Sequence, residues 1–167
     1  MADDAARLDF FVEELGLLFE KLGHRRMDGR VLGYLMLSTA PYVSTAELMS
    51  ELGASAGSIS SATRALSDPG FIRRVPVAGS RSHFYRADED VWGAFLSSEH
   101  RFFALRRRLA NSVLAALEPE NELVRKRMEN MHDYFEWLET YHQKMYGDWE
   151  AYKAARDRDR DRERDAT

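Results

Sequence analysis

The chain has no cysteine among its 167 residues. Disulfides, thiolate nucleophiles and cysteine zinc sites are excluded, and a reducing cytosol is the expected compartment. Proline is scarce too: of the four, Pro41, Pro69 and Pro119 fall where helical patterns stop. No apolar run approaches the ~18 residues of a membrane span. The acid-containing start, Met1 to Arg7, lacks the basic-then-apolar order of a secretory signal. An excess of positive charge is also missing. The 24 Lys and Arg against 28 Asp and Glu leave −4, and that average gives no hint of a nucleic-acid partner. No Gly-rich phosphate loop, nucleophile elbow or Ser/His/Asp arrangement is recognisable, so neither an enzyme nor a bound cofactor is expected.

What the chain does have is 44% hydrophobic residues, enough to bury a core in one domain with extended additions. Leu8, Phe11, Val12, Leu15, Leu18, Phe19 and Leu22 recur at three- and four-residue steps, which predicts a helix over Ala5–Leu22 stopped at Gly23. A second helix fits Asp28–Ser38. Ser44 and Glu47 have capping-box spacing before a short helix to about Leu52. Gly53 makes a turn, Ser55 caps a further helix over Ala56–Ser67, and Asp68-Pro69-Gly70 ends it. The period then changes. Phe71–Ala78 and Arg81–Arg86 read as two strands around the Ala78-Gly79-Ser80 turn, with Pro76 fitting only an edge. From Asp88, taken as a cap, helix resumes as far as Pro119. A last helix runs from about Glu120 into the 150s. The alternating Arg/Asp run from Arg156 has no apolar face and reads as a solvated, frayed tail.

The pair of helices around Gly53 has the form of a helix-turn-helix, with Met49, Gly53 and Ile59 at the spacing of a buried residue, a turn glycine and a buried aliphatic. The second helix offers Ser58, Ser61 and Arg64 on its outer face, with Ser55, Gly57 and Ser60 beside them. They are small enough for a major groove about 12 Å wide. The hairpin adds Arg73, Arg74, Arg81, His83 and Arg86. Charge is distributed to match: residues 53–86 hold five Arg and one acid, +4, while 1–52 and 87–167 carry −4 each. An ordinary polar helix face is the alternative for the serines alone. The basic hairpin beside them favours double-stranded DNA.

The stretch Ser55-Ala-Gly-Ser-Ile-Ser-Ser-Ala-Thr-Arg-Ala-Leu66, with Gly70-Phe-Ile-Arg-Arg74 and Gly79-Ser-Arg81, resembles winged-helix regulators of the MarR superfamily. Phe11-Val-Glu-Glu-Leu-Gly16 and Trp92 resemble its GbsR-like branch. The likeness covers about Phe10 to Leu96, and Met49 departs from the small residue usual at its position. The resemblance implies a mainly helical fold with a small β-hairpin wing, a winged helix-turn-helix between N- and C-terminal dimerisation helices. It implies a recognition helix at Ala56–Ser67, a wing at Arg73–Arg86, and a homodimeric, cytoplasmic, nucleoid-associated transcriptional regulator of bacterial type. Some members respond to small ligands, choline among those associated with this branch.

The corresponding map is 1–26 for the N-terminal dimerisation helix, 27–87 for the DNA-binding domain, 88–155 for the C-terminal dimerisation region and 156–167 for the tail. Leu8, Phe11, Leu15, Leu18, Met128, Met131, Phe135, Leu138, Met145 and Trp149 are the expected dimer contacts, with His142 interrupting the last seam. Trp92, Phe95, Phe102, Trp137 and Tyr141 are candidates for a small-molecule effector pocket by cation–π contact, with core packing as the ordinary alternative. Glu129/His132 and Glu139/His142 have Glu-x-x-His spacing, but the pairs lie ten residues apart on one helix, about 80° around its axis, so no metal site is expected. Arg25-Arg26 and Arg106-Arg107-Arg108 read as solvated faces. A winged-helix adaptor docking through the aromatic last helix is the rival reading; it has no need of a basic wing.

Overall fold

The structure is a computed structural model describing residues 2–118 and 120–165, with side chains from Ala6 onward. Pro119 lies outside the described residues. Nine elements follow in order: α1 (Ala2–Lys21), α2 (Arg26–Leu37), β1 (Val43–Ser44), α3 (Thr45–Glu51), α4 (Ala56–Ser67), β2 (Ile72–Val75), β3 (Phe84–Ala87), α5 (Val91–Ala116) and α6 (Glu122–Asp165). The expected fold class is observed, mainly helical with a small antiparallel sheet.

Residues 1–95 form one compact unit and 96–167 a second. The first unit contains α1 together with the helix-turn-helix. Its core joins Val12, Leu15 and Phe19 of α1 to Val31, Leu32 and Leu35 of α2, Leu48 of α3, and Ile59, Ala62 and Leu66 of α4. Leu15 is therefore a correction to the expected dimer face. It shares the inward stripe of Val12 and Phe19 and is only 7% exposed, whereas Leu8, Phe11 and Leu18 remain exposed.

Helices α1 and α2 meet backbone to backbone. A Cβ on Gly29 would lie 2.3 Å from the Leu15 carbonyl oxygen, and one on Gly33 would lie 3.1 Å from the Val12 Cα. Larger residues there would push the helices apart. Across the same seam Glu13 accepts hydrogen bonds from Arg26 Nη2 and Arg30 Nε, both at 2.7 Å. Burial pushes the Glu13 carboxyl up, but the hydrogen bonds and charges of Arg26 and Arg30 outweigh it and hold it below the usual carboxylate range.

The helix-turn-helix is set by local signals. Ser44 Oγ accepts from Glu47 N at 3.1 Å, and Ser55 Oγ accepts from Ser58 N at 3.3 Å. The capping box is half formed, because the Glu47 carboxylate takes the Tyr34 hydroxyl at 3.3 Å instead. Gly53 adopts φ +57°, the left-handed turn conformation that side chains disfavour. Helix α4 has the expected bounds.

The sheet departs from the two-stranded expectation. Its order is β1-β3-β2, all antiparallel, with Val43 opposite Tyr85 and Arg74 also opposite Tyr85. The strands of the hairpin are shorter than expected, so residues 76–83 form its tip. Thr45 donates both its amide and its hydroxyl to the His83 carbonyl at 3.0 Å, tying α3 to the returning strand. Asp88 does not cap α5. Asp90 does, accepting from Gly93 N at 2.9 Å.

In the second unit Phe103 of α5 meets Phe135 and His142 of α6, the latter edge-on at 5.2 Å. The run Arg106–Arg108 is not uniformly solvated: Arg107 pairs with Glu136 and Glu139 at 3.3 Å. Helix α6 extends through 156–165, where a frayed tail was expected. Alternating Arg and acid makes each i,i+3 pair opposite in sign, and Arg162 pairs with Asp159 at 3.4 Å.

Two stability measurements test this packing. Gly29→Ala should cost about 1–3 kcal/mol by overpacking, although alanine is the better helix former. Gly147→Ala, where a Cβ meets nothing within 4 Å, should stabilise α6 by roughly 0.5–1 kcal/mol. Urea titrations followed by circular dichroism give both signs. The Glu13 carboxylate adds a pH test. Its folded-state value is depressed, so its contribution exists above the unfolded carboxyl's range, near 4.5, and fades as pH falls through the folded value. The stability gap between wild type and Glu13→Gln should accordingly narrow on acidification.

Candidate nucleic-acid interface

The outer face of α4 is built from small residues because its opposite face is fully used. Ile59, Ala62, Thr63 and Leu66 are buried. Gly57, Ser60 and Arg64 are exposed in one stripe, Ser58 and Ser61 are half-buried at its flank, and Ser55 is the N-cap. The helix N-terminus and Arg64 thus lie at two ends of a narrow polar surface. That surface can enter a groove and place donors against phosphate or base edges.

The hairpin lies along one side of this stripe. A cleft of 320 Å³ is lined by Ser60, Thr63, Arg64 and Ser67 of α4 and the acidic Asp68 that follows it, together with Arg74, Tyr85 and His83 of the hairpin. Arg74 also lines a second hollow of 510 Å³ at the hairpin tip, with Pro76, Ser80 and Arg81. Arg64, Arg74 and Arg81 thereby follow one another from α4 to the hairpin tip, with Asp68 the one acid in the clefts that join them. Among the described residues, none of these three has an ion-pair partner.

The remaining hairpin arginines are placed differently. Arg73 and Arg86 stand opposite each other across β2 and β3, on the same face of the sheet. Both turn onto Asp88, Arg73 in direct contact and Arg86 at 3.6 Å. Strand alternation separates Arg73 from Arg74, which the sequence reading had grouped together. The carboxylate offsets part of the charge that the +4 segment was expected to present, since Asp88 lies just beyond that segment.

Sequence reasoning missed Arg25. Read as part of a solvated face, it donates through Nη2 to the Ser61 carbonyl of α4 at 2.7 Å while pairing with buried Asp28 at 3.0 Å. The Asp28 position three residues after Arg25 was a visible signal for a held guanidinium, but the α4 partner is 36 residues away and was not.

The candidate effector residues fall into separate groups. In the first unit, Phe71 stacks on Phe95 at 4.3 Å and meets Trp92 edge-on at 5.7 Å. In the second unit, Phe102 lies under the Arg101 guanidinium at 4.9 Å. Trp137 and Tyr141 stack nearly parallel at 5.5 Å, exposed to solvent. Rings stacked on each other do not form a cage. Of the expected seam on α6, Met128, Met131, Phe135, Leu138 and Trp149 are half-buried and Met145 is exposed. His142 is 4% exposed, and no group meets its Nε2 among the described residues. Glu139 of the second Glu-x-x-His pair is engaged by Arg107. His132, Asp133 and Glu136 offer ligand atoms within 4.8 Å of one another, but Asp133 and Glu136 are exposed and Glu136 also meets Arg107.

Comparison with known proteins places the chain in a family. Residues 90–152 match the family model described as MmpR5-like MarR family transcriptional regulator. The chain is 34% identical over 130 residues to the HTH-type transcriptional regulator MmpR5 of Mycobacterium tuberculosis, covering 78% of this chain and 79% of that protein. A crystal structure of a transcriptional regulator superposes with TM-score 0.77 at 31% identity, over 87% of this chain and 99% of that one. The branch named by these matches is MmpR5-like, and none of them carries the GbsR-like assignment.

The Asp88 pairing yields a direct test. Asp88→Asn releases Arg73 and Arg86, so binding to a random-sequence duplex should tighten. Its logarithmic salt slope should steepen by about one to two units as phosphate contacts are added. Fluorescence anisotropy across a salt series measures both.

Proposed function

The chain belongs to the MarR family of winged-helix transcriptional regulators, and from that premise we propose that it binds operator DNA as a cytoplasmic homodimer. The observation that carries this reading is the unpaired basic edge Arg64–Arg74–Arg81 beside the serine face of α4. In a chain of net charge −4, such an edge concentrates attraction for a polyanion at one place on an otherwise acidic molecule. Helix α4 enters the major groove. Arg64 reaches a base edge or phosphate, and Ser60 and Ser61 meet the groove without filling it. Arg74, Arg81 and His83 hold the flanking backbone, and the tip containing Arg81 follows the adjacent minor groove.

The exposed apolar residues of α1, Leu8, Phe11 and Leu18, and the aromatic face of α6 are covered by the second chain. Two-fold symmetry then gives a pseudo-palindromic operator with half-sites about one helical turn apart. An effector acts on such a dimer only by binding its two states unequally. The adaptor reading is not favoured, because docking through α6 leaves the basic edge without a role.

Three measurements test the proposal. Size-exclusion chromatography with light scattering should give twice the 19.3 kDa chain mass. Arg81→Ala should weaken all duplexes and reduce the salt slope by about one. Arg64→Ala should cost about 1–3 kcal/mol more on a selected operator than on random sequence if it reads a base. A chain that binds no genomic fragment at low salt would sink the proposal.

A further inference from the structure

Arg25, which caps α2, and Arg30 within it reach away from that helix and grip the backbone of the helix-turn-helix. Arg25 Nη2 donates to the Ser61 carbonyl within α4 at 2.7 Å. Arg30 Nη1 donates at 3.1 Å to the carbonyl of Leu52, the residue that closes α3 immediately before the Gly53 turn. Arg30 is also held from behind. Its Nε donates to Glu13 Oε1 of α1 at 2.7 Å, and the other Glu13 oxygen takes Arg26 at 2.7 Å.

One guanidinium therefore spans two elements that are far apart in sequence. Its rigid fork allows this: separate N–H groups point to the carboxylate and to the carbonyl. The Arg30 side chain is 22% exposed and the Glu13 side chain 40%, so the guanidinium is the better sheltered of the two groups. The glycine contacts between α1 and α2 keep Glu13 from sliding away from it. The resulting path runs from α1, through Glu13 and Arg30, to the turn that sets α4. Neither Glu13 nor Arg30 lines the α4–hairpin cleft.

We propose that Arg30, held by Glu13, is a positioning residue for DNA reading that locks the helix-turn-helix turn to α1. Resting on the preceding reading, in which α1 belongs to the dimer body, the lock makes the separation of the two recognition helices follow the dimer. Operator spacing is then read through this link as well as through base contacts. A simple fold-stabilising ion pair would lower stability when removed but would leave spacing preference unchanged.

The test uses full-length protein and a duplex that the wild type selects from a random library. Affinity is measured for that duplex, for versions with the half-site spacing changed by one base pair, and for random sequence. Wild type, Glu13→Gln and Arg30→Lys are compared, each with its urea midpoint. A lysine keeps the charge but reaches Glu13 or Leu52, not both. The wild type should lose about tenfold per base pair of altered spacing, and both variants less than about threefold. Random-sequence affinity and salt slope should stay at wild-type values in both. A spacing penalty unchanged in both variants, whatever their midpoints, overturns the link while leaving the DNA reading intact. A wild type that selects no duplex overturns both.

Discussion

The contact between Gly29 and the Leu15 carbonyl sets the distance between α1 and α2, and much of the first unit depends on that distance. With a Cβ only 2.3 Å from that oxygen, no residue larger than glycine fits without moving a helix. At this separation Val12, Leu15 and Phe19 reach the same core as Leu32 and Leu48. Glu13 also comes within 2.7 Å of two arginines on the neighbouring helix. Shift α1 outward by a side-chain diameter and both would be lost together: the apolar burial, worth roughly 1.5–3 kcal/mol per large residue, and the polar bridge. The N-terminal helix is thus part of the folding unit of the DNA-reading head.

What was legible in the sequence was what local chemistry decides. Helix α4 was bounded correctly because Ser55 caps it and Asp68-Pro69-Gly70 ends it, signals that lie within a turn of the boundary. The Gly53 turn and the hairpin followed for the same reason. Strand β1 was invisible: two residues, Val43 and Ser44, are extended only because Tyr85 and Phe84 pair with them about forty positions later. Asp88 and Asp90 are equivalent cap candidates in sequence. The choice between them falls to Arg73 and Arg86, which draw Asp88 into an ion pair and leave Asp90 to the helix. Arg25 was read as surface, and Arg30 drew no reading at all, for a similar reason. Their partners are carbonyl groups, and a carbonyl leaves no mark in a sequence.

The candidate interface shows how strand geometry sorts charge that composition lumps together. Five arginines between residues 53 and 86 look like one basic block. Antiparallel register puts Arg73 beside Arg86 on one face, where Asp88 offsets them, and Arg74 on the other, where it joins Arg64 and His83. The basic surface is narrower than the count suggests. It is also better aimed, since the arginines that keep their charge uncompensated are those beside the polar face of α4.

Exposed apolar surface is sorted as well, and along the length of the chain. Leu8, Phe10, Phe11, Leu18 and Leu22 belong to α1 or its end, and Leu123, Tyr134, Trp137, Tyr141, Met145 and Tyr152 belong to α6. None lies on α4. Tyr42, Trp92, Leu105 and Leu109 are exposed as well, so apolar surface is not confined to the ends, but α4 keeps its outer face polar. The ends need an apolar partner to bring their stripes out of water. The middle carries the positive charge that attracts polyanions. The Arg30 bridge joins the two in one unit, because it fastens α1 to the turn before α4. Repacking at α1 therefore has a short, hydrogen-bonded route to the turn before α4, through Glu13 and Arg30.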